Sequence, residues 1–120
     1  MPPERTPTSE LPLKPDVLLT LLALADAPLH GYAVMQRIEE ESGGRTVLQA
    51  GAFYRTLRNM LEDGLIVECD APASAATDAR TRRHYQVTRL GRATARAELD
   101  RMAALVRLGR TRYLTGKVKP

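Results

Sequence analysis

Residues 50–66 read AGAFYRTLRNMLEDGLI. Phe53, Leu57, Met60 and Leu61 recur at i, i+4, i+7 and i+8, which makes one apolar stripe of an amphipathic helix. Gly64 supplies the left-handed residue that commonly closes a helix, with Leu65 packing back. Tyr54, Arg55 and Arg58 project away from the stripe, near the helix start. A short helix with a buried seam, a basic and aromatic outer face and a glycine stop has the form of a recognition helix. A solvated charged face has the same pattern, so the segments on either side must decide between the two.

Upstream, Asp16 to Ala25 is expected to be a first helix with Asp16 as its N-cap, broken by Asp26-Ala27-Pro28. Val17, Leu18, Leu21, Leu22 and Ala25, widened by Leu19 and Leu24, predict burial on most sides. Leu29 to Glu41 is expected to be a second helix, with Tyr32, Met35 and Ile38 on its core side and Val34 beside them. Ser42-Gly43-Gly44 ends it. His30 has two readings at this entrance, a helix cap or a phosphate contact. Residues 45–49 form a connector with strand character at Val47-Leu48. Two helices joined by a tight, Gly-containing link form a helix-turn-helix.

Downstream, Ile66 to Asp70 is a strand candidate, and residues 71–79, APASAATDA, read as a loop tip of small and turn residues. Arg80 to Thr88 returns as a strand, with Tyr85 and Val87 alternating against His84, Gln86 and Thr88. Two strands and a loop behind a helix-turn-helix make a winged helix. Arg80, Arg82 and Arg83 fall where a wing edge meets the sugar-phosphate backbone or a minor groove. Thr88 can cap a last helix running from Arg89 to about Gly109. Leu90, Ala93 and Ala97 form one of its stripes. Ala95, Leu99, Met102, Leu105 and Val106 form another, more apolar surface than a small core can cover. The excess asks for a partner, most simply the same helix of a second copy.

These pieces together resemble the PadR family of bacterial transcription regulators, over roughly Val17 to Val106. The resemblance rests on Pro28-Leu29-His30-Gly31-Tyr32, on Gly51-Ala52-Phe53-Tyr54-Arg55-Thr56-Leu57 followed by Glu62-Asp63-Gly64-Leu65-Ile66, and on Arg83-His84-Tyr85-Gln86-Val87-Thr88-Arg89-Leu90-Gly91. Phe53 departs from the leucine usual before the family's tyrosine, a change on the core side. The resemblance implies a dimeric DNA-binding repressor of the short type. It also implies an inverted-repeat operator and release by a small ligand. By motif match, Tyr54 is the DNA-facing tyrosine, with Arg58 one turn further on.

The fold expected is mostly α with a small β-hairpin wing: a winged helix-turn-helix plus one C-terminal dimerisation helix. The divisions are a disordered arm over 1–15, a DNA-binding domain over 16–88, a dimerisation helix over 89–109 and a basic flexible tail over 110–120. The site residues are Tyr54, Arg55, Arg58, His30, Arg80, Arg82 and Arg83 for DNA. For dimerisation they are Leu90, Ala95, Leu99, Met102, Leu105 and Val106.

Composition agrees with that reading. A chain of 120 residues is one domain by size. The net charge of +4 is unevenly spread: residues 1–79 hold six Lys/Arg against twelve Asp/Glu, and residues 80–120 hold twelve against two. A positive C-terminal third suits a polyanion. The absence of a long apolar run and of an apolar stretch in the proline-rich N-terminus predicts neither a membrane helix nor a secretory signal. One cysteine, Cys69, fits a reducing cytoplasm.

No catalytic constellation is legible, so no enzyme and no cofactor are expected. Cys69 and His84 are only two potential metal ligands, and Ser42 and Ser74 lack a base at readable spacing. With no Trp and one Phe, a stacked aromatic effector pocket is not expected. A hydrophobic effector site between Leu90, Leu99, Met102 and the first helix is. A winged helix that binds only protein is the competing function, and it leaves the joint presence of Tyr54, Arg58 and the wing arginines without a purpose.

Overall fold

The computed structural model describes residues 6–8, 11–70 and 83–113. Four helices and a small antiparallel sheet follow in the order α1 (Pro15–Ala23), β1 (Leu29–His30), α2 (Gly31–Glu41), α3 (Ala50–Glu62), β2 (Ile66–Cys69), β3 (His84–Val87) and α4 (Arg89–Tyr113). The strands lie in the order β1-β3-β2. This is a winged helix-turn-helix followed by one long helix.

α1 begins one residue before the expected cap. Lys14 is the N-cap and makes no side-chain capping bond, while Pro15 takes the first turn, where its missing N–H costs nothing. Asp16 is therefore inside the helix, where its charge still favours the positive end. The helix also stops earlier, with Leu24 as C-cap. Two arginines from later in the chain satisfy carbonyls there: Arg37 donates to Ala23 O and Arg92 to Ala25 O, at 3.4 and 3.1 Å.

Leu29 and His30, expected to be helical, instead form β1, pairing Leu29 with Tyr85 and His30 with His84. Pro28 disfavours helical geometry at Ala27, and β3 offers an edge to pair with. His30 then caps α2, its Nδ1 accepting from Ala33 N at 3.1 Å. The core side of α2 is Gly31, Val34 and Ile38. Tyr32, expected in the core, is 58 % exposed, because it lies one residue, about 100°, away from that i, i+3, i+7 line. Residues 45–49 carry no strand, and Val47 is exposed.

α3 follows its sequence pattern closely. Phe53, Leu57 and Met60 are at most 1 % exposed. At its end Leu65 N donates to Met60 O and Gly64 N to Leu61 O, with Gly64 at φ 77°. That paired closure needs a left-handed residue, which only glycine adopts at no steric cost. Together with Leu21, Leu24, Val34, Ile38, Ile66 and Tyr85 these side chains form one core beneath the sheet.

β2 and β3 pair in register from Ile66–Val87 to Cys69–His84. The expected alternation fails at His84, which is buried beside Tyr85. The third strand explains this: β1 covers that edge, and the His84 ring meets His30 edge-on, with centroids 5.6 Å apart. Thr88 caps α4 as expected, its Oγ1 accepting from Gly91 N at 3.0 Å.

α4 is longer than expected and extends to Tyr113, with Arg110 and Arg112 in its last turn, where cations oppose the helix dipole favourably. Its most deeply buried residues are Gly91, Thr94 and Glu98, so small and polar residues lie at the centre of its contact with the rest of the chain. Glu98 is 2 % exposed; its carboxylate accepts from Leu13 N at 2.7 Å and pairs with Arg101. The chain is thus docked from before α1, within the stretch expected to be a loose arm. Leu90 and Ala95 pack against the chain's own core. Leu99, Met102, Leu105, Val106 and Leu108 stand exposed by 41 to 54 %.

Candidate nucleic-acid interface

The outer face of α3 is set by its inner face. With Phe53, Leu57 and Met60 buried, the 3.6-residue period leaves Tyr54, Arg55, Arg58 and Asn59 exposed. Ala50, Gly51 and Ala52 at the helix start are exposed and small, so backbone N–H groups can approach a polyanion closely. Gln49, the N-cap, makes no side-chain capping bond there.

Tyr54 does not extend freely into solvent. It is 45 % exposed and leans over the entry to α2, so near that a Cβ on Gly31 would lie 2.9 Å from its hydroxyl and ring. Its ring meets Phe53 edge-on at 5.5 Å. His30 and Tyr32 stack in parallel at 6.5 Å on the other side of Gly31. Together His30, Gly31, Tyr32, Tyr54, Arg83 and Tyr85 line a cleft of about 190 Å³. The fold therefore brings three sequence-named residues, His30, Tyr54 and Arg83, to one place. Arg55 and Arg58 remain on the open face of α3. Arg80 and Arg82 lie outside the described residues.

Arg83 is exposed and makes an ion pair with Glu68 on the neighbouring strand, at 3.3 Å. Such an exposed pair is weakly held, so the guanidinium can exchange partners at little cost. Tyr32 and Tyr85 were missed as cleft residues. Tyr32 looked like part of the apolar period of α2, and Tyr85 like an ordinary inward strand residue; no local signal distinguishes a core tyrosine from one whose edge reaches a cleft.

A second, larger cavity of about 340 Å³ lies between the end of α1 and α4. Leu21, Leu22, Ala95 and Leu99 give it an apolar wall, and Arg92, Arg96 and Asp100 a charged one. Of the three α4 residues expected around an effector, Leu99 lines this cavity, and Leu90 and Met102 do not. Among the described residues no helix is long and apolar enough to cross a membrane, and no cluster of three or more potential metal ligands occurs. Cys69 and His84 do face each other across the wing, as the pairing register places them.

Comparison with known proteins agrees with this architecture. The family model described as the transcriptional regulator PadR-like family matches residues 18–97. No curated protein matches. A PadR family transcription regulator from Clostridium difficile superposes with a TM-score of 0.67 at 18 % identity, covering 80 % of this chain and 95 % of that one. A transcriptional regulator from Clostridium thermocellum gives 0.64 at 16 % identity, covering 78 % and 84 %. A PadR-like transcription factor from Bacteroides fragilis gives 0.56 at 21 % identity, covering 79 % and 84 %. At such identities the likeness is one of fold.

Proposed function

The chain belongs to the transcriptional regulator PadR-like family, a family of regulators rather than enzymes, and from that premise we propose that it is a cytoplasmic repressor that binds an inverted-repeat operator as a homodimer. The observation that carries the DNA reading is the division of α3, with Phe53, Leu57 and Met60 fully buried and Tyr54, Arg55 and Arg58 turned outward, Tyr54 into the cleft that Arg83 also lines. Arg55 and Arg58 can reach base edges or phosphates, and Tyr54 can donate to a phosphate or pack on a thymine methyl. Arg80 and Arg82, just before Arg83 in the sequence, add two more positive charges to this reading.

The dimer reading rests on α4. Leu99, Met102, Leu105, Val106 and Leu108 form an exposed apolar face on a helix that its own domain leaves uncovered. Two copies joined there would set two α3 helices toward successive major grooves, about one helical turn apart. Residues 16–88 are then the DNA-binding domain and residues 89–109 the dimerisation helix. A small amphipathic ligand suits the cavity between α1 and α4, whose size falls within the usual range for such sites and which touches the root of the dimerisation helix.

The test is selection of duplexes from a random library by the purified protein, followed by titration of the selected duplex at several salt concentrations. The expected outcome is an enriched inverted repeat bound with an affinity that falls steeply with salt, as counterion release requires. No enrichment, with only weak sequence-independent binding, would refute the reading and favour a winged helix that binds protein.

A further inference from the structure

The cleft beside α3 has a floor that an α3-only interface does not require. Tyr85 is buried as a residue and lines this cleft, and its hydroxyl, without a hydrogen-bond partner among the described residues, is not a buried atom and so is open to the cleft. A hydroxyl on the floor of a cleft can donate to whatever fills it. Tyr54 closes the opposite side, its hydroxyl held over Gly31. Gly31, the first residue of α2, lines the cleft as well, and the positive end of this eleven-residue helix favours an anion even with Ala33 N already bonded to His30. At about 190 Å³ the cleft is smaller than a typical small-molecule site, which starts near 300 Å³.

We propose that this cleft seats one phosphate of the DNA backbone, with the Tyr54 and Tyr85 hydroxyls as paired donors, the α2 N-terminus beside them and Arg83 at the rim. The proposal rests on the DNA-binding reading and adds a defined phosphate seat to it. Burial, and then the nearby Glu68 carboxylate, push the Tyr85 phenol above its ordinary value, so it keeps the proton it donates. Arg83 already pairs with the Glu68 carboxylate in an exposed ion pair, and an arriving phosphate takes over one edge of that guanidinium. A contact of this kind fixes the register of the domain on the duplex and carries no base information. It also ties the wing to the α2 entry, so both elements would be held to the same backbone position.

The test uses the full chain and the selected duplex. Tyr85→Phe removes the hydroxyl and keeps the ring, and Gly31→Ala places a Cβ within 2.9 Å of the Tyr54 hydroxyl, which must then shift. Each is expected to weaken binding about tenfold, the lower end for a hydrogen bond to a charged group, with little change in melting temperature. Neutral methylphosphonates are then placed one position at a time along the duplex. One position in each half-site should weaken the wild type by the same factor, with no further loss in Tyr85→Phe. Wild-type affinity in both variants would overturn the proposal, as would a Tyr85→Phe loss that persists unchanged on every methylphosphonate duplex. Failure of the wild type to bind any duplex would overturn the DNA-binding reading itself, and the phosphate seat with it.

Discussion

Replacing Gly91 by alanine should destabilise the fold even though it places a better helix former inside a helix. Gly91 lies in the first turn of α4, where a Cβ would come within 2.1 Å of the Leu65 carbonyl oxygen and 2.7 Å of Val87 Cγ2. The first of these is backbone, fixed by the closure of α3, and cannot swing aside. The same carbonyl accepts from Thr88 N and from Thr88 Oγ1, at 3.0 and 3.1 Å. Overpacking of this kind costs about 1–3 kcal/mol. Moving α4 outward to relieve it stretches both Thr88 bonds, each contributing roughly 1 kcal/mol. Helix propensity returns about 1 kcal/mol in favour of alanine. Whichever route the chain takes, the balance is a loss of about 1–2 kcal/mol, which lowers the urea midpoint by roughly 1 M at fixed protein concentration. Because this contact sets the angle at which α4 leaves the winged domain, operator affinity should fall as well. Unfolding at the wild-type midpoint, or about 1 kcal/mol of added stability from propensity alone, would refute the close packing of α4 on the α3–β2 turn.

Other expectations follow from single observations. Glu98 is held below the usual carboxylate range, first by its bond from Arg101 and also by Leu13 N, against the opposing effect of burial. With a depressed folded-state value, its stabilising contribution is present above the ordinary carboxylate pKa and is lost as pH falls through the lower folded one. Glu98→Gln should therefore flatten the acid limb of the melting-temperature profile, and an unchanged limb would show that the carboxylate does not contribute. Leu99→Asp should shift a dimer toward monomer or aggregate in light scattering at tens of micromolar protein, since an unpaired carboxylate is costly in an apolar interface; a wild type that is already monomeric there would remove the dimer proposal. Tyr54→Ala and Arg58→Ala should each cost roughly 1–3 kcal/mol in operator binding with the fold intact, and unchanged affinity in a folded double variant would show that α3 does not read DNA. Arg83→Ala should weaken binding to all sequences alike and lower the salt slope by about one, whereas a changed sequence preference would assign it to base reading.

The amino-acid sequence by itself determined the elements whose neighbours lie close along the chain. The period of Phe53, Leu57 and Met60 specifies both the helix and its buried face, and Gly64 specifies where it stops, because these are constraints within one or two turns. The outward direction of Tyr54, Arg55 and Arg58 follows from the same period. The Thr88 cap and the apolar excess at Leu99, Met102, Leu105 and Val106 were legible for the same reason. What only the tertiary structure decided depends on residues distant in sequence. Leu29 and His30 are a strand because β3 returns beside them, and His84 is buried because β1 covers it. Gly31, with no side chain, takes the buried position beneath Tyr54, and Tyr32 one residue on is turned out to the surface. The inner face of α4 tolerates Glu98 because Leu13 N, eighty-five residues away, and Arg101 both satisfy its carboxylate. A hydrophobic pattern records which residues avoid water; it does not record which distant partner makes a polar residue acceptable inside.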